Sequence, residues 1–210
     1  MLEVFTVGHS TQPLERFIGL LKRHEISAIA DVRSAPYSRH NPQFNRESLR
    51  ESLKQEAISY VFLGKELGAR SDDECCYVHD RVSYQKLSET DLFQAGIKRV
   101  IDGAKKYRIA LMCAEKDPLD CHRTILVSRE LVKDGVAVTH ILQTGALESH
   151  DAAMTRLIDQ LGIGAEDMFR PREAAVELAY DRQGQLIAYD RSAAPSRRVE
   201  ARAEQRDSVR

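Results

Sequence analysis

Two thiols, a carboxylate, an imidazole and a guanidinium, on Cys113, Cys121, Glu115, His122 and Arg123, fall within the single segment CAEKDPLDCHR. These are the groups of nucleophilic, acid–base and anion-binding chemistry: a thiolate attacks, an imidazole or carboxylate moves protons, and a guanidinium holds an oxyanion. The segment leaves an apolar run from Arg108 to Ala114, of a length and composition that suit a strand buried on both faces of a parallel sheet. Helix punctuation follows, with Asp117 as N-cap, Pro118 at the first helical position and Asp120 at the capping-box position. This predicts a helix with Cys121, His122 and Arg123 in its early turns. Free backbone N–H groups and the helix dipole there favour anions, and favour a thiolate over a thiol.

Each group also has a plain packing reading. Cys121, Ile125, Ser128 and Val132 share a helical stripe that would bury the thiol as a small hydrophobe. Cys113 ends a buried strand, where a small apolar residue is expected anyway. Asp31 is either a base or nucleophile at a strand end, or an anchor for Arg33 two residues on. No metal is expected, because Cys113 and Cys121 are eight positions apart, whereas structural zinc sites usually present close C-x(2–4)-C pairs. Nor is an organic cofactor: neither G-x-x-x-x-G-K-[ST] nor G-x-G-x-x-G occurs.

The elements that must position these groups alternate in type. Strands are predicted at Glu3 to Val7, Ile26 to Val32, Ser59 to Leu63, through Cys113, and at Val136 to Leu142. Between them lie helices on Leu14 to Leu21, on Asn45 to Glu56, and from Ser88 and Asp91 through Ala104. Two more helices follow, Ala152 to Leu161 and Pro171 to Ala179. The pattern predicts an α/β fold: a doubly wound, mostly parallel sheet of about five strands with helices on both faces, plus a C-terminal helical extension. The core domain spans 1–162, with an irregular insertion at 64–85; a helical appendage covers 163–190, and a charged, mobile tail 191–210.

In an open parallel sheet, ligands sit beyond the carboxyl ends of the strands. His9 and Ser10 follow the first strand, Arg33, Tyr37 and Arg39 the second, and Cys113 and Glu115 the fourth. Arg33, Arg39 and Arg123 on one rim predict an anion site. His140, at the end of an apolar strand, reads as a satisfied core histidine. The chain of 210 residues carries a net charge of −1, so nothing global draws it to nucleic acid or membrane. No apolar run approaches a membrane span, and four cysteines, two of them adjacent, do not form a secreted disulfide framework, so the expected location is the cytoplasm.

Several motifs in order, TVGHST, DVRSAPYSRHNPQF, YVFLGKELG, CAEKDPLDCHR and THIL with a later glycine at Gly145, resemble the family called domain of unknown function 488. The resemblance runs from Thr6 to Ala188 and implies the α/β fold. It marks His9, Ser10, Asp31, Arg33, Pro36, Arg39, Cys113, Glu115, Cys121, His122 and Arg123 as signature positions, and implies no reaction. One departure stands out: the family often has a second glycine after its LG element, where this chain has Ala69 and Arg70 after Gly68.

Two functions remain open. The first is an enzyme on a phosphate-bearing substrate, a nucleotide or nucleic acid, with Arg33, Arg39 and Arg123 holding the anion beside His9, Ser10 and Tyr37. Cys121, Cys113, Glu115, His122 or Asp31 would carry a hydrolase or transferase chemistry. The second is a non-catalytic nucleic-acid or nucleotide module in which Tyr37 and Phe44 stack on bases.

Overall fold

The computed structural model describes residues 2–163 and 171–193, so nearly all of the predicted charged tail lies outside the described residues. In chain order the elements are β1 (Glu3–Gly8), α1 (Leu14–Arg23), β2 (Ala28–Asp31), α2 (Arg46–Gln55), β3 (Ser59–Phe62) and α3 (Gly64–Leu67). A hairpin of β4 (Tyr77–Val78) and β5 (Arg81–Val82) precedes α4 (Tyr84–Ser88) and α5 (Asp91–Ala104). Then come β6 (Ile109–Cys113), a π-helical turn (Arg123–Ser128) leading into α6 (Arg129–Lys133), β7 (Ala137–Ile141), β8 (Leu147–Ser149), α7 (His150–Gln160) and α8 (Arg172–Ile187).

Six strands make the main sheet, in the order β3-β2-β6-β1-β7-β8. All pairs are parallel except β7 with β8, so the sheet is mixed and carries one antiparallel edge strand. That edge is only Leu147–Ser149, too short for its alternation to register as a strand in sequence. Because β6 slots between β1 and β2, its end is flanked by theirs: Gly8 stands opposite Cys113 and Asp31 opposite Met112.

Every residue of β6 is buried, as a central parallel strand requires. Ile109, Leu111 and Cys113 pack with Phe93 and Ile97 of α5 and with Leu126, Val127 and Leu131 of the π turn and α6. Ala110 and Met112, on the other face, meet Phe17 and Leu21 of α1 and Leu49 and Leu53 of α2. Full burial of each such large side chain stabilises by about 1.5–3 kcal/mol. The period of two therefore puts Cys113 on the same face as the segment that follows it.

α8 does not hang free. Its Ala175, Ala179 and Tyr180 join Met154 and Leu157 of α7 against Leu119 and Ile125, and Gln183 donates to the Leu119 carbonyl at 2.9 Å. The 64–85 segment holds α3, the hairpin and the start of α4. α5 begins later than its sequence punctuation suggests, because Thr90 Oγ1 accepts from the Phe93 N–H, while Ser88 ends α4. No helix among the described residues is long and apolar enough to cross a membrane.

A buried polar chain runs through this core. Thr6 Oγ1 meets His140 Nδ1 at 2.8 Å, His140 Nε2 meets His150 Nδ1 at 3.1 Å, and His150 Nε2 meets the Tyr180 hydroxyl at 2.5 Å. Burial holds both imidazoles neutral, His150 down at about 4 and His140 well below its ordinary value, the latter helped by the neighbouring His150. The unfolded chain takes up protons near pH 6.5 that the folded chain refuses, so stability falls as pH drops from about 6.5 towards 4, by up to about 1.4 kcal/mol per pH unit for each histidine. Urea unfolding at pH 7 and pH 5 should show this loss, and a His140→Gln/His150→Gln variant should show a flatter dependence; equal slopes would contradict it.

Candidate active site

After β6 the chain makes a tight turn before it re-enters helix. Asp117 caps only a 3-10 turn, Pro118–Asp120, its Oδ1 accepting from the Leu119 N–H at 2.9 Å. Cys121 is extended, with φ −137° and ψ 140°, so the expected helix running from Asp117 through Cys121 is corrected to two separate pieces. The Cys121 carbonyl accepts from the N–H groups of Thr124 and Ile125, and its Sγ lies 3.4 Å from the Arg123 N–H. Cys121 is therefore the N-cap of the second helix, where its sulfur meets one of the N–H groups that lack an intrahelical partner.

The first turns of that helix are π-helical, and Ser128 Oγ donates to the Arg123 carbonyl at 2.7 Å. Arg123 is fully buried. Its Nη1 donates to the Glu115 carbonyl at 3.0 Å and its Nη2 to that of Lys116 at 3.5 Å, so it ties down the loop from inside. The same loop presses on β1: a Cβ on Gly8 would stand 1.9 Å from the Glu115 carbonyl oxygen, so only glycine fits.

This folding brings Cys113, Cys121, His122 and Glu115 together. His122 Nδ1 lies 3.7 Å from Cys113 Sγ and 3.8 Å from Cys121 Sγ. His122 Nε2 donates to the Val32 carbonyl at 3.0 Å, which fixes the ring with Nδ1 towards both sulfurs. Glu115 Oε2 accepts from Cys121 Sγ at 2.9 Å.

Two thiols this close cannot both ionise cheaply. Burial and the charge at Cys121 push the Cys113 thiol up. Burial pushes Cys121 the same way, but the hydrogen bond with Cys113 and the Arg123 and His122 charges outweigh it, and Cys121 falls well below the thiol range. Glu115 is raised, by partial loss of water and by the Cys121 charge beside it. Burial would lower His122, yet Cys121 and Glu115 raise it overall. The cluster thus shares its protons.

A second network stands behind it and is closed on itself. Asp31 is fully buried; its oxygens accept from the Arg33 backbone N–H, Nε and Nη2 at 3.1, 2.9 and 2.6 Å and from the Tyr60 hydroxyl at 2.6 Å. Arg33 Nη1 meets His9 Nε2 at 3.1 Å and Nη2 donates to the Phe44 carbonyl at 2.9 Å. The His9 ring stacks on Phe44 at 4.3 Å and its Nδ1 donates to the Ser10 carbonyl. Burial and the Arg33 charge lower His9 to about 4, so it stays neutral. Asp31 anchors Arg33 and has no lone pair directed at a ligand.

The cleft over the first cluster has a volume of about 260 Å³. Cys113, Ala114, Glu115, His122 and Arg33 line it, together with Ala69, Arg70, Tyr84, Asp120 and Tyr189. Cys121 does not line it. Of the three arginines expected to hold an anion, Arg33 lines the cleft with most of its side-chain donors engaged by Asp31, His9 and the Phe44 carbonyl, Arg123 is buried behind, and Arg39 is exposed and lines none of it. Tyr37 is also exposed and donates to Glu47, while Ser10 contributes backbone: its N–H donates to the Ala114 carbonyl at 2.9 Å, with φ at 48°.

Sequence reasoning missed Arg70, Tyr84 and Tyr189. Arg70 follows the LG element at the point where the chain departs from the family pattern, which was the one available signal. Its guanidinium lies 4.4 Å over the Tyr189 ring, and among the described residues it makes no carboxylate ion pair.

Asp31→Asn leaves the Arg33 charge buried without its partner, and should cost about 3–5 kcal/mol of unfolding free energy in urea. A loss below about 1 kcal/mol, the range of a surface pair, would show that the pair does not carry this wall of the site.

The family model for Domain of unknown function DUF488 matches residues 13–129, a span that ends beyond the thiol–imidazole cluster. No curated protein and no solved structure matches the chain.

Proposed function

We propose that this chain, which belongs to the family of domain of unknown function DUF488, is an enzyme acting on a small substrate that carries a phosphate-type anion. One observation carries the reading: Cys113, Glu115 and His122 face a cleft, with Cys121 against two of them, where a core built for stability alone would place apolar groups. Such clusters cost stability, and proteins keep them where chemistry needs them.

The roles follow from access. Glu115 is exposed to the cleft and has a raised pKa, so it is the group that takes and returns a proton. His122, fixed by the Val32 carbonyl, supports that exchange. Arg70 supplies the anion contact, as the lining arginine whose guanidinium makes no ion pair among the described residues, and Tyr84 and Tyr189 give the substrate apolar walls. Cys121 does not reach the cleft and Cys113 is held protonated, which disfavours attack by either thiol.

The nucleic-acid module finds less support. Phe44 is buried under His9 and Tyr37 is committed to Glu47, so the two rings do not offer a stacking platform.

A panel of phosphorylated small molecules and mononucleotides, assayed for phosphate release or group transfer, tests the proposal. Glu115→Gln should lower kcat by about 10²–10⁴-fold, as loss of an acid–base group does. Arg70→Ala should raise KM with kcat nearly kept. If the panel yields no turnover while single-stranded nucleic acid binds with steep salt dependence and without regard to Glu115, the chain is the binding module instead.

A further inference from the structure

We propose that Cys113 Sγ, Cys121 Sγ and His122 Nδ1 form a three-ligand site for a thiophilic divalent cation, zinc foremost, with a fourth position open to the cleft beside Glu115. As an account of the catalytic centre this rests on the enzymatic reading above; as a cation site it stands on geometry alone. The three ligand atoms lie within 4.8 Å of one another and all three residues are buried. A tetrahedral ion with Zn–S of about 2.3 Å and Zn–N of about 2.0 Å sets sulfur and nitrogen about 3.6 Å apart. The two distances from His122 Nδ1 are 3.7 and 3.8 Å, so the two edges of that tetrahedron that meet at the imidazole nitrogen are already in place.

The surroundings agree. A metal-bound histidine donates its other ring N–H to a carbonyl or carboxylate, as His122 Nε2 does to Val32. Two cysteines and a histidine with one open position make a catalytic set, whereas structural sites close with four protein ligands. The spacing of Cys113 and Cys121 departs from the close pairs of structural sites because here one ligand ends a strand, one caps a helix and one opens that helix. The chemistry also closes without an outside reagent. A water in the fourth position passes a proton to Glu115 as its oxygen bonds to the electrophilic atom. The bond to the leaving group breaks, and Glu115 returns the proton to that group.

Among the described residues the other group of suitable atoms, Asp73, Cys75 and Cys76, sits on a largely exposed 3-10 turn, has no imidazole, and uses the Asp73 carboxylate to cap the Cys75 N–H. It serves as the internal control.

The test is a Co²⁺ titration of the full chain after chelation and dialysis under reducing conditions. One equivalent should give thiolate-to-cobalt charge-transfer absorption and the intense visible bands of a tetrahedral ion. Cys113→Ala and Cys121→Ala should each lose charge-transfer intensity, His122→Ala should weaken binding by at least about tenfold, and Cys75→Ala/Cys76→Ala should change nothing. Because a variant in the core can misfold, wild-type protein provides a second reading: Zn²⁺ should protect Cys113 and Cys121 from alkylation, as mapped by mass spectrometry. Cobalt bound without charge transfer, charge transfer abolished by the Cys75/Cys76 variant, or thiols left unprotected by zinc would each overturn the site. The readouts need no substrate, so failure to find turnover would count against the enzymatic reading alone.

Discussion

The hydrogen bond from His122 Nε2 to the Val32 carbonyl joins the helix after β6 to the strand on its far side, and the geometry of the cluster depends on it. It turns Nδ1 towards both sulfurs. The bond forms because β6 lies between β1 and β2, so the chain that leaves β6 and folds back over its own face meets the end of β2. Without that strand order Cys113 and Cys121 would still share a segment, yet nothing would fix the imidazole between them.

Around that bond the site divides into a half that is locked and a half that lines the cleft. Asp31, Arg33, His9, Tyr60 and Phe44 satisfy one another, and Arg123 ties the loop carbonyls from within. Gly8 permits the close approach that lets the loop lie against β1. These contacts hold the backbone still, which is the condition for polar groups to act at a cleft rather than relax into mutual pairing. Arg33 and Arg123, two of the arginines that sequence suggested for anion binding, also brace the site, Arg39 lines none of the cleft, and Arg70 is a lining arginine without a carboxylate ion pair among the described residues.

Much of this was legible in the sequence. Apolar runs alternating with helical stripes identified the five parallel strands and the helices on both faces, and the segment from Cys113 to Arg123 stood out by its chemistry. The rest was hidden for identifiable reasons. Asp117 and Pro118 carry sound helix punctuation, but it serves a 3-10 turn, and no local signal shows that Cys121 caps a second helix. The direction of a loop is not written in its residue types, so Arg39 and Tyr37 could not be told from Arg33. Arg70, Tyr84 and Tyr189 come from short or irregular segments without a period, and only tertiary packing brings them over the cleft.

A cation at this cluster requires two sulfurs and one ring nitrogen to converge on a single point. X-ray absorption at the zinc edge, on the loaded full chain, measures that convergence directly. Zinc held there should show a shell of two sulfurs at about 2.3 Å, one imidazole nitrogen and one further light atom. A shell without sulfur, or with a single sulfur, would contradict it.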